Sequence, residues 1–376
     1  MIKLNANIGG LRPNFTDKEY AEFISKLENL VPGSSVRFGS IFHEIFWNPE
    51  DLGNFKGLDK VLEICRDRQL QPLILVMPTP HPTSGWYKTA KNRDGWWLPN
   101  EELIPKLAEK TDVLVKRVLA KCKEFKLEPT WQLWNEPAGK AFSTVTGHNL
   151  GNKPGGSSTS KYGEWTLTLH KLLWETSQVL RNNKIPTSKI MSPAFSCIGD
   201  GNIQEVSEVL TWIPPSEYNW QKNCGVIACH LFFRAGWAQD PKTRTTEVTN
   251  GFNASMNYFK YFVANLRLPK SKKIVITEFY VTPGMCGVLT TANPEQLDPF
   301  RTIAFDLLAK EKITSFVYGI GDENDSPGTY WLAYGGWSQW LKKKNAAISG
   351  GFNSSPATGG FNSSPATGGI STSPVK

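Results

Sequence analysis

Short apolar runs and longer amphipathic stretches alternate along this chain. The runs fall at residues 4–8, 35–38, 72–77, 130–134, 190–194, 225–233, 274–279 and 314–318, eight in all. Their length and apolar content predict strands. Between them, apolar residues recurring every three to four positions predict helices over 17–30, 58–68, 101–125, 162–181, 252–266 and 295–310. Thr16 and Glu19 form a capping box at the first of these. Strand–helix alternation repeated eight times predicts an α/β protein whose parallel sheet closes into a (β/α)8, or TIM, barrel.

Polar stretches at 78–100, 138–161 and 324–336 follow the third, fourth and eighth strands. They predict long βα loops at the strand C-terminal end, where barrels of this kind build their sites. The chain beyond residue 345 is different. Gly-Phe-Asn-Ser-Ser-Pro-Ala-Thr-Gly occurs twice, at 351–359 and 360–368. Such a Gly/Ser/Pro segment buries too little apolar surface to fold alone. The expectation is a barrel over 1–345 and a low-complexity tail over 346–376, with Phe352 and Phe361 as its anchors if it docks on a protein partner or assembly.

Composition narrows the function. The net charge of +8 comes from scattered Lys and Arg, apart from Lys342-Lys343-Lys344, so no nucleic-acid partner is expected. The six cysteines are far apart and include no CxxC pair, which argues for buried reduced thiols and against a metal site. No leader is visible before the first strand, and no apolar run reaches membrane-spanning length. Synthesis in a cytoplasm is expected. Aromatics are abundant, with 14 Trp, 20 Phe and 10 Tyr, and indole faces stack on the C–H faces of sugar rings.

Two glutamates end strand-like runs: Glu136 in Trp131-Gln132-Leu133-Trp134-Asn135-Glu136-Pro137, and Glu278 in Ile274-Val275-Ile276-Thr277-Glu278-Phe279-Tyr280. They stand on the fourth and seventh strands. Cleaving a glycosidic bond with retention needs two carboxyl groups about 5–5.5 Å apart, one to protonate the leaving oxygen and one to attack. His81, Trp96 and Trp97 in the third βα loop and Trp331 in the eighth are candidate stacking subsites, with loop packing as the competing reading.

Trp134-Asn135-Glu136-Pro137 and Ile276-Thr277-Glu278-Phe279 resemble the motifs of the clan A glycoside hydrolases, retaining (β/α)8 enzymes, over residues 1 to about 345. Leu75-Val76-Met77-Pro78 is similar to the third strand of the β-xylosidase/α-iduronidase group within that clan. The resemblance implies Glu136 as general acid and then base, Glu278 as nucleophile, and no cofactor. It also implies a poly- or oligosaccharide substrate, bound through Asn135 at the sugar 2-hydroxyl, with Trp134 beside it. Arg37 matches the clan's basic residue near the nucleophile, against a surface salt bridge as the alternative. His230 aligns with the clan's sixth-strand histidine, against a satisfied core histidine. Where the clan often carries Tyr two residues after that histidine, this chain has Phe232, and the eighth strand has no Trp in register at Gly319. Tyr280 or Tyr318 is the substitute hydroxyl, and Trp331 the substitute platform.

These departures keep a second reading open: a weak or inactive glycan-binding subunit of a virion or other assembly. A virion location, or release outside the cell, would bring a leaderless chain to extracellular glycans. A third reading is a cytoplasmic glycosidase acting on imported oligosaccharides.

Overall fold

A computed structural model describes residues 3–10, 16, 18, 21, 24–25, 27–39, 42–80, 84–86, 99, 101–135, 160–198, 216–235, 241–265, 273–283, 298–318 and 337–351. Among these residues nine strands form one parallel sheet: β1 (Asn5–Gly10), β2 (Ser35–Gly39), β3 (Gln71–Leu75), β4 (Thr130–Gln132), β5 (Ile190–Met191), β6 (Phe195–Ile198), β7 (Val226–Ala235), β8 (Lys273–Pro283) and β9 (Thr314–Tyr318). Their neighbour order closes on itself, because β1 pairs with both β2 and β9 and β5 pairs with both β4 and β7. The result is a closed eight-stranded parallel barrel, as the alternation of runs predicts.

The fifth barrel strand departs from expectation. Residues 190–194 read as one run, but β5 stops at Met191 and pairing resumes in β6, which lies along β7. Pro193 has no N–H to give to a ladder, so it interrupts the strand. Ser192 fills the gap: its N–H reaches the Val226 carbonyl at 2.9 Å, and its Oγ accepts the Ala228 N–H at 3.0 Å.

Helices follow the strands on the outside: α1 (Phe42–Ile45), α2 (Lys56–Asp67), α3 (Ile104–Phe125), α4 (Ser160–Asn182), α5 (Pro241–Asn265), α6 (Asp298–Glu311) and α7 (Trp337–Gly351). Of the helix expected over 17–30, Lys18, Ala21, Ile24, Ser25 and Leu27 are helical and most of the remainder lies outside the described residues. Residues 101–103 form a 3-10 turn, and α3 then starts with Pro105 in its first turn, where a missing N–H costs nothing. The αβ turns after α2, α3, α4 and α6 each carry a non-glycine residue in the left-handed region: Gln69, Lys126, Lys184 and Lys312. After α3 that turn lets Leu127 N–H close back on the Cys122 carbonyl at 2.8 Å. Helix α7 runs through Gly351, beyond the expected start of the tail; residues 352–376, with Phe352 and Phe361, lie outside the described residues.

Among the described residues, two apolar clusters hold this architecture. The larger lies between helices and sheet. The smaller joins Leu73, Met191, Ala194, Val226, Ala228, Val275 and Phe316. Residues on β3, β5, β7, β8 and β9 meet in this way only inside the cylinder, so the cluster marks the lumen. No described helix is long and apolar enough to cross a membrane. Cys65, Cys122, Cys224 and Cys229 are buried thiols, and burial pushes both Cys65 and Cys122 up to about 12.

Candidate active site

The lumen side of each strand follows from register. Leu73 is in the lumen and pairs with Arg37, so Arg37 points inward; Gln132 pairs with lumen residue Met191 and does the same. Arg37 pairs on its other side with Asn7, which is also buried.

Glu278 reaches the lumen by a different route. Val275 faces inward, and strict alternation would place Thr277 inside and Glu278 outside. The ladder shifts, however: Cys229 pairs with Ile276 and the next residue, His230, pairs with Glu278. Thr277 is the extra residue of a β-bulge, with its hydroxyl donating to the Cys229 carbonyl at 3.4 Å. The bulge turns Glu278 inward beside His230. On its far side β8 is irregular over the same stretch, between Ile276 and Phe279.

Arg37 organises what meets there. Its side chain is 2% exposed and spends its fork on three partners. NH1 donates to Glu278 Oε1 at 2.7 Å, NH2 to Asn135 Oδ1 at 2.6 Å, and Nε to Gln132 Oε1 at 2.9 Å. A guanidinium only donates, so it fixes both amides with their oxygens toward it and their NH2 groups away. Gln132 uses its NH2 on the Trp134 carbonyl at 2.7 Å, which also accepts the Ala194 N–H. A bridge between Asn135 and Ala194 pins the end of the fourth strand. The Asn135 amide accordingly turns its NH2 away from Arg37.

His230 is fully buried, with Nε2 3.5 Å from the same Glu278 Oε1. Burial drives its pKa down to about 3; the Glu278 carboxylate opposes this and the Arg37 cation adds to it. The imidazole is therefore neutral. Arg37 and Glu278 are the charged members among these described residues, and one cation faces one carboxylate. Both contacts fall on Oε1, leaving Oε2 as the oxygen that carries no described contact.

Four expected residues are thus brought together: Arg37, Asn135, His230 and Glu278. The surface reading of Arg37 is overturned by its burial. Trp134 is also corrected: it is fully buried and packs in the main core, so it offers no stacking face. Tyr280 belongs to β8 and pairs by backbone with Phe232. Glu136, His81, Trp96, Trp97 and Trp331 lie outside the described residues. Gln132 and Asn7 were not expected. Their signal was a polar residue at an inward position of an otherwise apolar strand run. No group of His, Cys, Asp and Glu fit to hold a metal ion occurs among the described residues.

No protein-family model and no curated protein sequence matches this chain. Solved structures do. A family 39 glycoside hydrolase from the gut symbiont Bacteroides cellulosilyticus WH2 superposes with a TM-score of 0.51 at 14% identity, over 89% of this chain and 59% of its own. The exo-β-1,4-mannosidase Op5Man5 from Opitutaceae bacterium strain TAV5 gives 0.50 at 14%, over 93% and 61%. A psychrophilic family 10 endo-β-1,4-xylanase gives 0.50 at 10%, over 84% and 85%. The chain thus spans about three fifths of the first two. At such identity these likenesses concern the barrel fold.

Proposed function

We propose that this chain is a retaining glycoside hydrolase acting on a poly- or oligosaccharide, of the clan A type, with Glu278 as nucleophile and Glu136 as acid and base. The observation that carries the reading is the buried Arg37 cation, which binds Glu278 and the Asn135 amide at once. A nucleophilic carboxylate needs a counterion in a closed site, and the Arg37 guanidinium stands 2.7 Å from Glu278 Oε1. The same cation presents the Asn135 NH2 toward a bound sugar, where a hydrogen bond to the 2-hydroxyl strengthens in the transition state. Glu136 directly follows Asn135 in sequence.

In this mechanism a Glu278 oxygen attacks the anomeric carbon while the Glu136 carboxylic acid protonates the departing oxygen. A glycosyl ester on Glu278 results. Glu136, now a carboxylate, deprotonates water, which displaces Glu278 and restores both groups. Neutral His230 lets Arg37 act as the cation for Glu278 without adding a second charge.

Two of the superposed enzymes are an exo-β-1,4-mannosidase and an endo-β-1,4-xylanase, so β-1,4-linked manno- and xylo-oligosaccharides form the first substrate panel. Hydrolysis of a panel member by the full chain, lost in Glu278→Ala, is the expected result. Undiminished hydrolysis by that variant would sink the proposal. Phe232, standing opposite Tyr280 where the clan often has a hydroxyl on that strand, favours a second reading, a glycan-binding protein without turnover. Binding of a panel member with no product after prolonged incubation would select it.

A further inference from the structure

The cations that are scattered in sequence are gathered by the fold at one end of the barrel, the end where the strands begin. Arg68 precedes β3, Lys126 precedes β4 and Lys184 precedes β5. Lys222 precedes β7, Lys273 opens β8, Lys312 precedes β9 and Lys3 precedes β1. These strands are consecutive around the cylinder, and of its eight members β2 alone is entered without a cation. Among the described residues none of these cations is in an ion pair, and all but the half-buried Arg68 are exposed.

Lys126, Lys184 and Lys312 stand in the left-handed region, at φ 57°, 61° and 57°. Glycine fits there without strain. Each turn is closed by the next residue: Leu127 N–H on the Cys122 carbonyl at 2.8 Å, Ile185 on Leu180 at 3.2 Å and Ile313 on Leu308 at 3.4 Å. A lysine at these points carries a conformational cost that glycine would avoid, and supplies a charge that glycine lacks. Attraction to a helix C-terminus accounts for a cation in or next to the last turn. It does not reach Lys222, in the 3-10 turn over 220–223, or Lys273, already inside β8. The acids at this end are largely engaged: Asp67 by Arg66 at 2.7 Å, Glu124 by Lys121 at 3.1 Å and Glu128 by Lys189 at 2.9 Å.

We propose that this end of the barrel docks on the headgroup surface of a bilayer rich in anionic lipid. The cations form an arc around the barrel axis, which matches a plane of charge; a nucleic-acid strand is tracked by a groove with aromatic platforms. All but Arg68 are lysines, whose ammonium groups act as point charges, whereas phosphate and base recognition favours the arginine fork. The exposed large apolar side chains, Trp47, Leu52, Val113 and Ile348, all lie outside these connections. Protein interfaces have an apolar core and are depleted in lysine, so a protein partner fits poorly. Contact with lipid is then electrostatic, without insertion, and reversed by salt. Docked in this way, the chain turns the opposite end, with Arg37, Asn135 and Glu278, away from the bilayer. The docking face stands whether or not the chain hydrolyses a glycan, because it shares no residue with that site.

The test is co-sedimentation of the full-length protein with phosphatidylcholine vesicles, with and without about 30% phosphatidylserine, at about 0.1 M and about 0.5 M salt. Binding to the anionic vesicles at the lower salt is expected, with little at the higher salt and little to the neutral vesicles. Lys126→Gly, Lys184→Gly and Lys312→Gly together keep the turns, so this variant should match the parent in urea denaturation. Its binding should fall about a hundredfold, or about fivefold for each charge removed. Lys56→Gln, Lys106→Gln and Lys116→Gln together remove the same charge away from that end and should leave binding within about twofold. No binding to anionic vesicles, an unchanged affinity in the glycine variant, or an equal loss in both variants would overturn the proposal. Duplex DNA or polygalacturonate bound at least as tightly as the anionic vesicles would overturn the bilayer as the partner.

Discussion

Arg37 and Glu278, separated by 241 positions in sequence, form an ion pair of 2.7 Å inside the barrel, the guanidinium buried and the carboxylate partly so. The pair joins the second strand to the seventh across the lumen. Its other bonds, to Asn135 and Gln132, bring in the fourth strand. One guanidinium therefore sets the geometry of three strand ends.

Removing the cation should be costly. Arg37→Met leaves the Glu278 carboxylate in the lumen without its counterion and two amide oxygens without a donor. A loss of about 3 kcal/mol in unfolding free energy is expected, measured by urea denaturation. Full stability in this variant would mean that the guanidinium does not hold Glu278 and the two amides as described.

Gln132 should matter through Arg37. Gln132→Leu removes the acceptor for Nε and the donor to the Trp134 carbonyl, freeing the guanidinium to turn. On the substrate that the panel identifies, kcat should fall about tenfold or more while KM changes less. Gln132→Glu, which keeps the acceptor, should recover part of the loss. An unchanged kcat in Gln132→Leu would remove Gln132 from the site.

Much of this fold is legible in the sequence, and the reasons differ by element. The eight strands show because each is a short apolar run flanked by helical periodicity, with only Pro193 breaking one of them in two. The Arg37–Glu278 contact follows only from the clan resemblance, because it crosses the lumen between strands that do not pair and no local pattern encodes it. The bulge at Thr277 is hidden too: strict alternation from Val275 would send Glu278 outward, and the ladder shift that turns it inward depends on β7. Gln132 escaped notice because its signal, a polar residue within an apolar run, names no partner and no role until Arg37 is placed beside it. Trp134 misled in the opposite sense, since an aromatic beside a candidate glutamate reads equally well as platform or as core.

Two buried histidines should make stability depend on pH. Burial takes His230 to about 3 and His170 to about 4, both below the ordinary 6.5. The unfolded chain then binds protons that the folded chain refuses. Stability should be level with respect to these groups above pH 6.5 and fall as pH drops toward 4. The slope is at most about 1.4 kcal/mol per pH unit for each histidine. His170→Gln, which can still accept the Trp220 Nε1 bond, should roughly halve it. Urea denaturation at pH 7.5, 6 and 5 measures this, and no change between 6 and 5 would contradict it.

Cys65 and Cys122 should resist alkylation. With both thiols buried and pushed up to about 12, little thiolate forms at pH 8. Iodoacetamide followed by peptide mass spectrometry should find them unmodified in the native protein and modified in urea. Rapid native labelling at either would place it nearer the surface than its helix packing allows.

The role of Glu278 is tested most directly by trapping. A 2-deoxy-2-fluoro glycoside with an activated leaving group, built on the sugar that the panel identifies, slows both steps and lets the glycosyl ester accumulate. Mass spectrometry of the digested protein should find the fluorosugar on the peptide containing Glu278, bonded to that side chain and absent from Glu278→Gln. An adduct on another residue, or steady hydrolysis by Glu278→Gln, would contradict the account.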